Sequence, residues 1–184
     1  MDTSYVFIAE GFEEIEALTT VDVLRRGQMQ VFTVSITDKK EVKGANGVVV
    51  VADKTINEID GDDALWLIVP GGMPGASNIA ACGKVSDMLQ NQWKKGGRIA
   101  AICAAPAVVL APLGILQGQD ATCYPSFMDD LEKGGATYVD NRVVISGNLI
   151  TSNGPSSALV FALAILASTQ GDDVASSVAS GMLV

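Results

Sequence analysis

Short, continuously apolar segments alternate along the chain with segments of helical periodicity. Residues 5–9 are apolar throughout, which is typical of a strand buried on both faces of a sheet. Residues 13–26 then follow a helical period, with acids at the start, arginines at the end and Gly27 beyond, as favoured by the helix dipole and a C-cap. The apolar side of this helix, predicted to face the core, consists of Ile15, Leu18, Val21 and Leu24.

The same alternation continues to the C-terminus and predicts one α/β domain over residues 1–184. Further strands are predicted at residues 30–35, 48–52, 64–69, 98–102, 121–124, 137–140, 143–146 and 149–152. Further helices are predicted at residues 85–93, 104–110, 126–133, 159–167 and 173–182, the fourth apolar nearly all round and hence buried. Alternating β and α units of this length predict a parallel sheet with helices on both faces, and the turn at residues 43–47 predicts a hairpin excursion.

Composition and charge narrow the class of partner. The 184 residues are 48% hydrophobic and 18% charged, which favours a globular core over disorder. The net charge of −9 disfavours nucleic acid and anionic lipid surfaces as partners. The start Met1-Asp2-Thr3-Ser4 predicts no signal peptide, and the longest apolar run, residues 158–167, is about half the ~20 residues of a membrane span. We therefore expect a cytoplasmic protein.

The chain contains no histidine, and this absence excludes several kinds of site. A Ser-His-Asp or Cys-His pair within the chain, an HExxH motif and a His-ligated zinc site are all ruled out. The three cysteines are too few and too far apart for a disulfide framework or a Cys-rich metal site. A general base must be a carboxylate, a lysine, a tyrosine, a water or a group from a partner.

Cys103 is the candidate nucleophile. An apolar strand ends at this cysteine and turns at once into a helix of small residues, which is the arrangement of a nucleophile elbow with cysteine in place of serine. The following helix N-terminus is expected to lower the pKa of the thiol. The alternative, from these residues alone, is that Cys103 is a small core residue.

Two further segments lie at predicted strand ends, where open parallel sheets bind ligands. Gly71-Gly72 follows a buried strand and is interpreted either as a source of backbone N–H groups for an oxyanion or as a plain tight turn. Glu13 and Glu16 lie on the same side of the first helix and are interpreted either as solvated helix-end residues or as proton carriers near the thiol.

Four segments in order along nearly the whole chain resemble the ThiJ/PfpI superfamily. They are Glu10-Gly-Phe-Glu-Glu-Ile-Glu16, Val69-Pro-Gly-Gly-Met-Pro-Gly75, Ala100-Ala-Ile-Cys-Ala-Ala-Pro106 and Thr151-Ser-Asn-Gly-Pro155. The strings at residues 21–26 and 161–165 are most similar to the clade of the Parkinson-linked deglycase and its bacterial relatives. The resemblance implies a flavodoxin-like three-layer sandwich with a mostly parallel sheet, of the class I glutamine amidotransferase-like kind.

The resemblance also implies the roles of the site residues. Cys103 is the elbow cysteine, Glu16 is the carboxylic acid that hydrogen-bonds it, and the N–H groups of Gly72 and Ala104 form an oxyanion-type pocket. Burial and a neighbouring negative charge both raise a carboxyl pKa, so a protonated Glu16 is physically reasonable.

The remaining implied features concern the pocket and the assembly. Gly71 and Tyr124 are expected in the substrate pocket, and a homodimer is expected in which Arg26 approaches the partner's site. No metal and no cofactor are expected. The family's protease branch has a histidine after the elbow cysteine, where this chain has Ala104, and the Parkinson-linked protein has a histidine where this chain has Tyr124. Protease activity is therefore not expected.

Two functions remain open on the sequence. The first is a cysteine-dependent enzyme acting on reactive dicarbonyls or their glycation adducts, of the glyoxalase III or deglycase type, converting methylglyoxal to lactate. The second is a redox sensor or redox-regulated chaperone in which Cys103 oxidises to a sulfinate held by Glu16.

Overall fold

The continuously apolar segments form the centre of the main sheet. The structure, a computed structural model, describes residues 3–62 and 64–184. The prediction of no signal peptide rests partly on Met1 and Asp2, which lie outside the described residues. The strands are β1 (Thr3–Ile8), β2 (Gln30–Ser35), β3 (Glu41–Lys43), β4 (Val49–Val51), β5 (Lys54–Thr55), β6 (Ala64–Val69), β7 (Arg98–Ile102), β8 (Asp120–Ala121), β9 (Thr137–Tyr138), β10 (Val143–Ser146) and β11 (Leu149–Ser152).

The main sheet has the order β10-β11-β7-β6-β1-β2-β5. Its strands are parallel except β10, which pairs antiparallel with β11. The central strands β1, β6 and β7 are apolar on both faces because helices cover both faces. This arrangement confirms the predicted flavodoxin-like three-layer sandwich with a mostly parallel sheet.

The helices form two groups on the sheet. They are α1 (Glu14–Arg26), α2 (Gly75–Ala80), α3 (Gly83–Lys94), α4 (Met128–Lys133), α5 (Ala158–Gln170) and α6 (Asp172–Gly181). The first, fifth and sixth helices pack on one another, whereas α2, α3 and α4 pack near β6, β7 and the segment after β7. At the α1–α5 contact, a Cβ on Gly27 would lie 2.3 Å from Cδ1 of Leu166, so the glycine permits the close approach. None of the described helices is both long enough and apolar enough to cross a bilayer.

The predicted hairpin excursion is confirmed and is attached to the start of α1. Strands β3 and β4 pair antiparallel outside the main sheet. Glu14 accepts hydrogen bonds from the backbone N–H of Asn46 at 2.7 Å and from its Nδ2 at 2.9 Å. The carboxylate of Glu14 therefore fixes the hairpin turn, and its hydrogen bonds lower its pKa despite the opposing effect of burial.

The predicted apolar side of α1 is wrong at two positions. Ile15 and Leu18 are 56% and 37% exposed, whereas Val21 and Leu24 are buried as predicted. The buried side is rotated toward Glu16, Ala17 and Thr20, where the Thr20 hydroxyl donates to the Glu16 carbonyl at 2.7 Å. In the same way α5 buries one side only, since Leu159, Leu163 and Ala164 are half-buried.

Three predicted elements are shorter than expected, and one of them, the strand predicted at residues 137–140, is the two-residue β9. Residues 104–110 contain a π-helical turn, Pro106–Leu110, instead of a regular α-helix, followed by a 3₁₀ turn over Ala111–Leu113. The strand predicted at residues 121–124 is the two-residue β8, which pairs with β9 in a small separate sheet. After β8, the Tyr124 N–H donates to the Cys103 carbonyl at 2.9 Å, which joins this segment to the end of β7.

Candidate active site

Cys103 lies at a sharp turn at the carboxyl end of β7. Its φ is +65°, a left-handed conformation that costs a non-glycine residue about 1–3 kcal/mol. The turn is fixed from both sides, because the Cys103 N–H donates to the Ser152 carbonyl at 2.8 Å and its carbonyl accepts from Tyr124 at 2.9 Å. A strained residue at a sharp turn between an apolar strand and a helical turn is typical of a nucleophile elbow.

Glu16 reaches the same place from the first turn of α1. Its side chain is completely buried, and its Oε2 accepts the backbone N–H of Gly71 at 2.7 Å. Its Oε1 has no conventional hydrogen-bond partner among the described residues. The carboxyl nevertheless interacts with the Cys103 thiol closely enough for each group to shift the pKa of the other.

The electrostatics of this pair follow from burial. Burial raises the pKa of Glu16 to about 7, and the negative charge of Glu13 adds to the increase. Burial also raises the pKa of the Cys103 thiol, and the negative charge of Glu16 raises it further. The two groups therefore titrate as a coupled pair, in which Glu16 loses its proton near neutral pH and the Cys103 thiol keeps its proton well above it.

The expected lowering of the thiol pKa by the helix N-terminus is wrong. The segment after Cys103 begins with a single π-helical turn, and burial together with Glu16 outweighs it. The backbone N–H groups of Gly72 and Ala104 do hydrogen-bond the sulfur and favour the thiolate, but they do not reverse the net direction.

The two glycines after β6 allow the groups of the site to approach. A Cβ on Gly71 would lie 2.6 Å from the Cβ of Cys103 and 2.8 Å from Oε2 of Glu16. Gly72 has a φ of +86°, and a Cβ there would lie 2.4 Å from the backbone nitrogen of Glu13. Only a residue without a side chain fits at either position, which explains the Gly-Gly pair in physical terms.

The structure thus brings together Cys103, Glu16, Gly71, Gly72 and Ala104. A thiol, a buried carboxyl and two backbone N–H groups thus lie close together at the end of β7. Such an arrangement can attack an electrophilic carbon and hold the oxyanion that forms.

The other two predicted pocket residues lie differently. Tyr124 is 45% exposed, is tied to Cys103 through its backbone, and its ring lies 3.4 Å from the Cβ position of Gly154. Arg26 lies at the opposite end of α1 from Glu16 and pairs with Asp22 at 2.8 Å. Within one chain Arg26 is not part of the site, and its approach to a partner's site stays a prediction.

The other two cysteines do not share this environment. Cys82 is half-buried at the start of α3, whereas Cys123 is fully buried. Burial and the negative charge of Asp130 raise the pKa of Cys123 to about 11. Within residues 3–62 and 64–184, no three His, Cys, Asp or Glu side chains are grouped as metal ligands.

Sequence reasoning missed two contributions to the site. The carbonyl of Ser152 holds the Cys103 N–H, although the sequence indicates segment 151–155 only through the family resemblance. Glu13 is the N-cap of α1 and accepts the Glu16 N–H at 2.8 Å. Its i, i+3 spacing from Glu16 was the signal for a shared side of the helix, but spacing does not reveal that Glu16 is buried.

Comparison with known proteins gives matches over nearly the whole chain. A sequence model described as the DJ-1/PfpI family matches residues 3–168. The glutathione-independent glyoxalase DJR-1.2 of Caenorhabditis elegans is 40% identical over 164 residues, covering 89% of this chain and 86% of that protein. Protein DJ-1 homolog A of Arabidopsis thaliana is 35% identical over 182 residues, covering 99% of this chain; the chain spans only 46% of that protein's length.

Solved structures agree in fold. Oxidized DJ-1 of Toxoplasma gondii superposes with a TM-score of 0.94 at 38% identity, covering 100% of this chain and 98% of that one.

Proposed function

This chain belongs to the DJ-1/PfpI family, and we propose that it is a cysteine-dependent enzyme acting on reactive dicarbonyls. The proposed reaction converts methylglyoxal and water to lactate without a cofactor. Early glycation adducts, in which a dicarbonyl carbon is attached to an amine or thiol, are a related substrate class for the same thiol chemistry.

One observation carries this proposal: the buried Glu16 carboxyl and the Cys103 thiol shift each other's pKa beside the N–H groups of Gly72 and Ala104, and the proposed mechanism has the two groups exchange one proton. The buried carboxyl with a pKa raised to about 7 can both give and accept a proton at neutral pH. The N–H groups of Gly72 and Ala104 act on the sulfur and lower its pKa, and the proposal assigns them to the oxyanion that would form there. A nucleophile, a proton relay and an oxyanion site are the groups that an internal redox conversion of an α-oxoaldehyde requires.

The first step forms a covalent adduct. With the shared proton on Glu16, the Cys103 sulfur attacks the aldehyde carbon and a C–S bond forms. The carbonyl oxygen becomes an alkoxide next to the N–H groups of Gly72 and Ala104, and it takes the proton from Glu16. The product is a hemithioacetal, and Glu16 is left as a carboxylate.

The later steps move one proton between carbons and release the acid. The Glu16 carboxylate removes the C1 proton to give an enediolate and returns it to C2, while the hydroxyl proton passes from the C1 oxygen to the C2 oxygen, so the aldehyde carbon is oxidised and the ketone carbon is reduced. Water then cleaves the resulting lactyl thioester, and Glu16 takes one proton from the water. The C–S bond breaks, Cys103 is left as a thiolate, and the lactic acid released loses a proton to solvent. The sum is methylglyoxal plus water giving lactate and a proton.

The comparisons support this reaction class. A relative at 40% identity over most of both chains is named a glutathione-independent glyoxalase. A protease-type reaction is disfavoured because the chain has no histidine and Ala104 follows Cys103. Tyr124 can donate a hydrogen bond at the pocket but is a poor base at neutral pH.

Oxidation of Cys103 is the second candidate function. The same N–H groups and a protonated Glu16 would hold the oxygens of a sulfinate, so the site suits a redox sensor or redox-regulated chaperone. A structural neighbour described as an oxidized DJ-1 favours this alternative. The two functions use the same thiol but need different properties of Glu16. The enzyme needs Glu16 to transfer a proton, whereas the sensor needs only a hydrogen-bond donor to the sulfinate.

We also propose a homodimer in a reducing compartment such as the cytoplasm. Ile15 and Leu18 on α1, together with Val49 and Val51 on the adjacent hairpin, are exposed large hydrophobic residues. Glu14 connects the two elements through its hydrogen bonds to Asn46. All three cysteines are free thiols, as expected in such a compartment.

The proposed enzyme is tested by lactate formation from methylglyoxal without glutathione. Cys103→Ala should abolish turnover, and Cys82→Ala, which changes a half-buried thiol at the start of α3, is the matched control. Equal lactate formation by the wild type and the Cys103→Ala variant would refute the proposal. A wild type that forms no lactate but gains two oxygens at Cys103 under mild peroxide would favour the sensor.

A further inference from the structure

Glu13 lies between the start of α1 and the Gly71-Gly72 loop, and no step proposed above uses it. We infer that Glu13 is a positioning residue that holds Glu16 against Gly71 and, through its uncompensated negative charge, keeps a proton on the Glu16 side chain. This inference deepens the proposed function and rests on the assignment of Glu16 as proton carrier.

Glu13 is hydrogen-bonded to both residues of the contact between Glu16 and Gly71. Its Oε2 accepts the backbone N–H of Glu16 at 2.8 Å, and its own N–H donates to the Gly71 carbonyl at 3.0 Å. Gly71 in turn donates its N–H to Glu16 at 2.7 Å. The two ends of Gly71 are therefore held by two residues of one helical turn, which fixes the direction of the Glu16 carboxyl.

The charge of Glu13 has no cation to neutralise it. The ion pairs in the described part of the chain involve Arg25, Arg26, Lys40 and Lys133, and none reaches Glu13. Glu13 is only half-buried, whereas Glu16 is completely buried. A negative group this close to a buried carboxyl opposes a second negative charge there.

Three groups act on Glu16, and Glu13 is distinct among them. The Gly71 N–H and the Cys103 thiol hydrogen-bond Glu16 and lower its pKa, whereas burial and the charge of Glu13 raise it. Glu13 is thus the charged residue that opposes the two hydrogen bonds. Without it, the carboxyl would release its proton at lower pH, so at neutral pH a smaller fraction of the Glu16 side chains would hold a proton for the developing alkoxide.

Neighbouring glutamates do not have this position. Glu14 points to the hairpin and is held by Asn46. Glu10 is exposed and uses its backbone carbonyl to accept from Asn78 at 2.9 Å. Glu10→Gln therefore removes a charge from the same loop without touching the contact between Glu16 and Gly71, and it is a matched control.

The test measures the pH dependence of Cys103 alkylation by iodoacetamide, followed by peptide mass mapping. Two substitutions remove the charge and keep a capping oxygen, Glu13→Gln and Glu13→Asn, whereas Glu13→Asp keeps both charge and cap. We expect the midpoint of the alkylation profile to move by about half a pH unit toward lower pH in the first two variants. Below the wild-type midpoint this change makes alkylation about threefold faster. Glu13→Asp and Glu10→Gln should keep the wild-type midpoint.

Each outcome separates the inference from the proposed function. If Glu13→Gln and Glu13→Asn both keep the wild-type midpoint while Glu16→Gln alters it, Glu13 is only a helix cap and the inference is overturned. If Glu16→Gln itself leaves the profile unchanged, Glu16 is not the titrating partner of Cys103, and the proposed mechanism fails first. A loss of thermal stability with an unchanged midpoint would also identify a purely structural role and overturn the inference.

Discussion

The backbone N–H of Gly71 donates to Oε2 of Glu16 at 2.7 Å, and this bond joins the first helix to the loop after the central strand β6. The bond holds a buried carboxyl beside the Cys103 thiol, and a Cβ on Gly71 would intrude between the two groups. The chemistry proposed for the site depends on this contact, because the shared proton is useful only while the carboxyl and the thiol touch.

Gly71→Ala tests this contact directly. The added Cβ would lie 2.6 Å from the Cβ of Cys103 and 2.8 Å from Glu16 Oε2, so one of the groups must move. We expect a loss of about 1–3 kcal/mol in unfolding free energy by overpacking. Turnover should fall roughly a hundredfold, because displacement of a reacting group by about 1 Å has that effect.

Gly83→Ala is the control for this substitution, since a Cβ there meets nothing within 4 Å. It should keep wild-type turnover and stability. Full activity of Gly71→Ala would show that the close approach of Glu16 and Cys103 is not required.

Stability should depend on pH through Glu16. Its pKa is raised to about 7 in the folded state from 4.5, so the folded state holds the proton more tightly than the unfolded chain. The contribution of this group is therefore fully present below pH 4.5 and is lost as the pH rises through 7. A rise in pKa of this size corresponds to a contribution of about 3 kcal/mol at most.

Glu16→Gln removes this ionisation. Urea unfolding should show the variant gaining stability over the wild type at pH 8, with a much smaller difference at about pH 4.5, where the wild-type carboxyl is protonated in the folded state. Glu14→Gln should do the opposite, because hydrogen bonds lower the pKa of Glu14, and its carboxylate stabilises the fold above its unfolded pKa. A difference between wild type and Glu16→Gln that is the same at every pH would refute the raised pKa.

The left-handed backbone at Cys103 should be measurable as stored strain. Both Cys103→Ala and Cys103→Gly remove the thiol, but only glycine accepts a φ of +65° without cost. Cys103→Gly should therefore be more stable than Cys103→Ala by about 1 kcal/mol. Gln28 has a φ of +60° on the surface, and Gln28→Gly compared with Gln28→Ala should show the same sign. A Cys103→Gly protein less stable than Cys103→Ala would contradict the strained elbow.

Limited iodoacetamide labelling should select Cys103. Cys123 is completely buried, whereas Cys82 is more accessible but lies at the start of α3, away from the Glu16 carboxyl. Burial raises the pKa of both Cys103 and Cys123, but the N–H groups of Gly72 and Ala104 favour the thiolate only at Cys103, so at pH 8 we expect Cys103 to label first. Peptide mapping that finds Cys82 modified first would contradict this assignment, and Glu16→Gln should change the rate at Cys103 alone.

Much of the fold could be predicted from hydrophobic pattern because most strands of the central sheet are apolar throughout. Residues 64–69 and 98–102 were predicted with the bounds that the structure has. The buried side of α1 could not be predicted in this way, because the hydrophobic spacing fits a side that contains Ile15 as well as one that contains Ala17. Which side is buried depends on tertiary contacts of Glu16 and Thr20, and a buried glutamate contradicts any hydrophobic pattern.

The site was predictable in its residues but not in its electrostatics. Cys103, Gly71 and Gly72 were found from strand ends, since the parallel sheet collects those ends at one edge. The direction of the thiol pKa depends on burial and on the distance to Glu16, neither of which a sequence shows. The inferred role of Glu13 cannot be seen in the sequence for the same reason, because the charge of Glu13 acts on the neighbouring Glu16 side chain.

The most direct test of the central claim is methylglyoxal turnover by Glu16→Gln. An amide can accept the Gly71 N–H and donate to a sulfinate, but it cannot relay a proton between carbons. We expect lactate formation to fall by about 10²–10⁴-fold, while mild peroxide still adds two oxygens to Cys103. Glu16→Asp, which keeps an acid with shorter reach, should retain part of the activity. Turnover by Glu16→Gln within about threefold of the wild type would contradict the account, because it would show that the shared proton is not used.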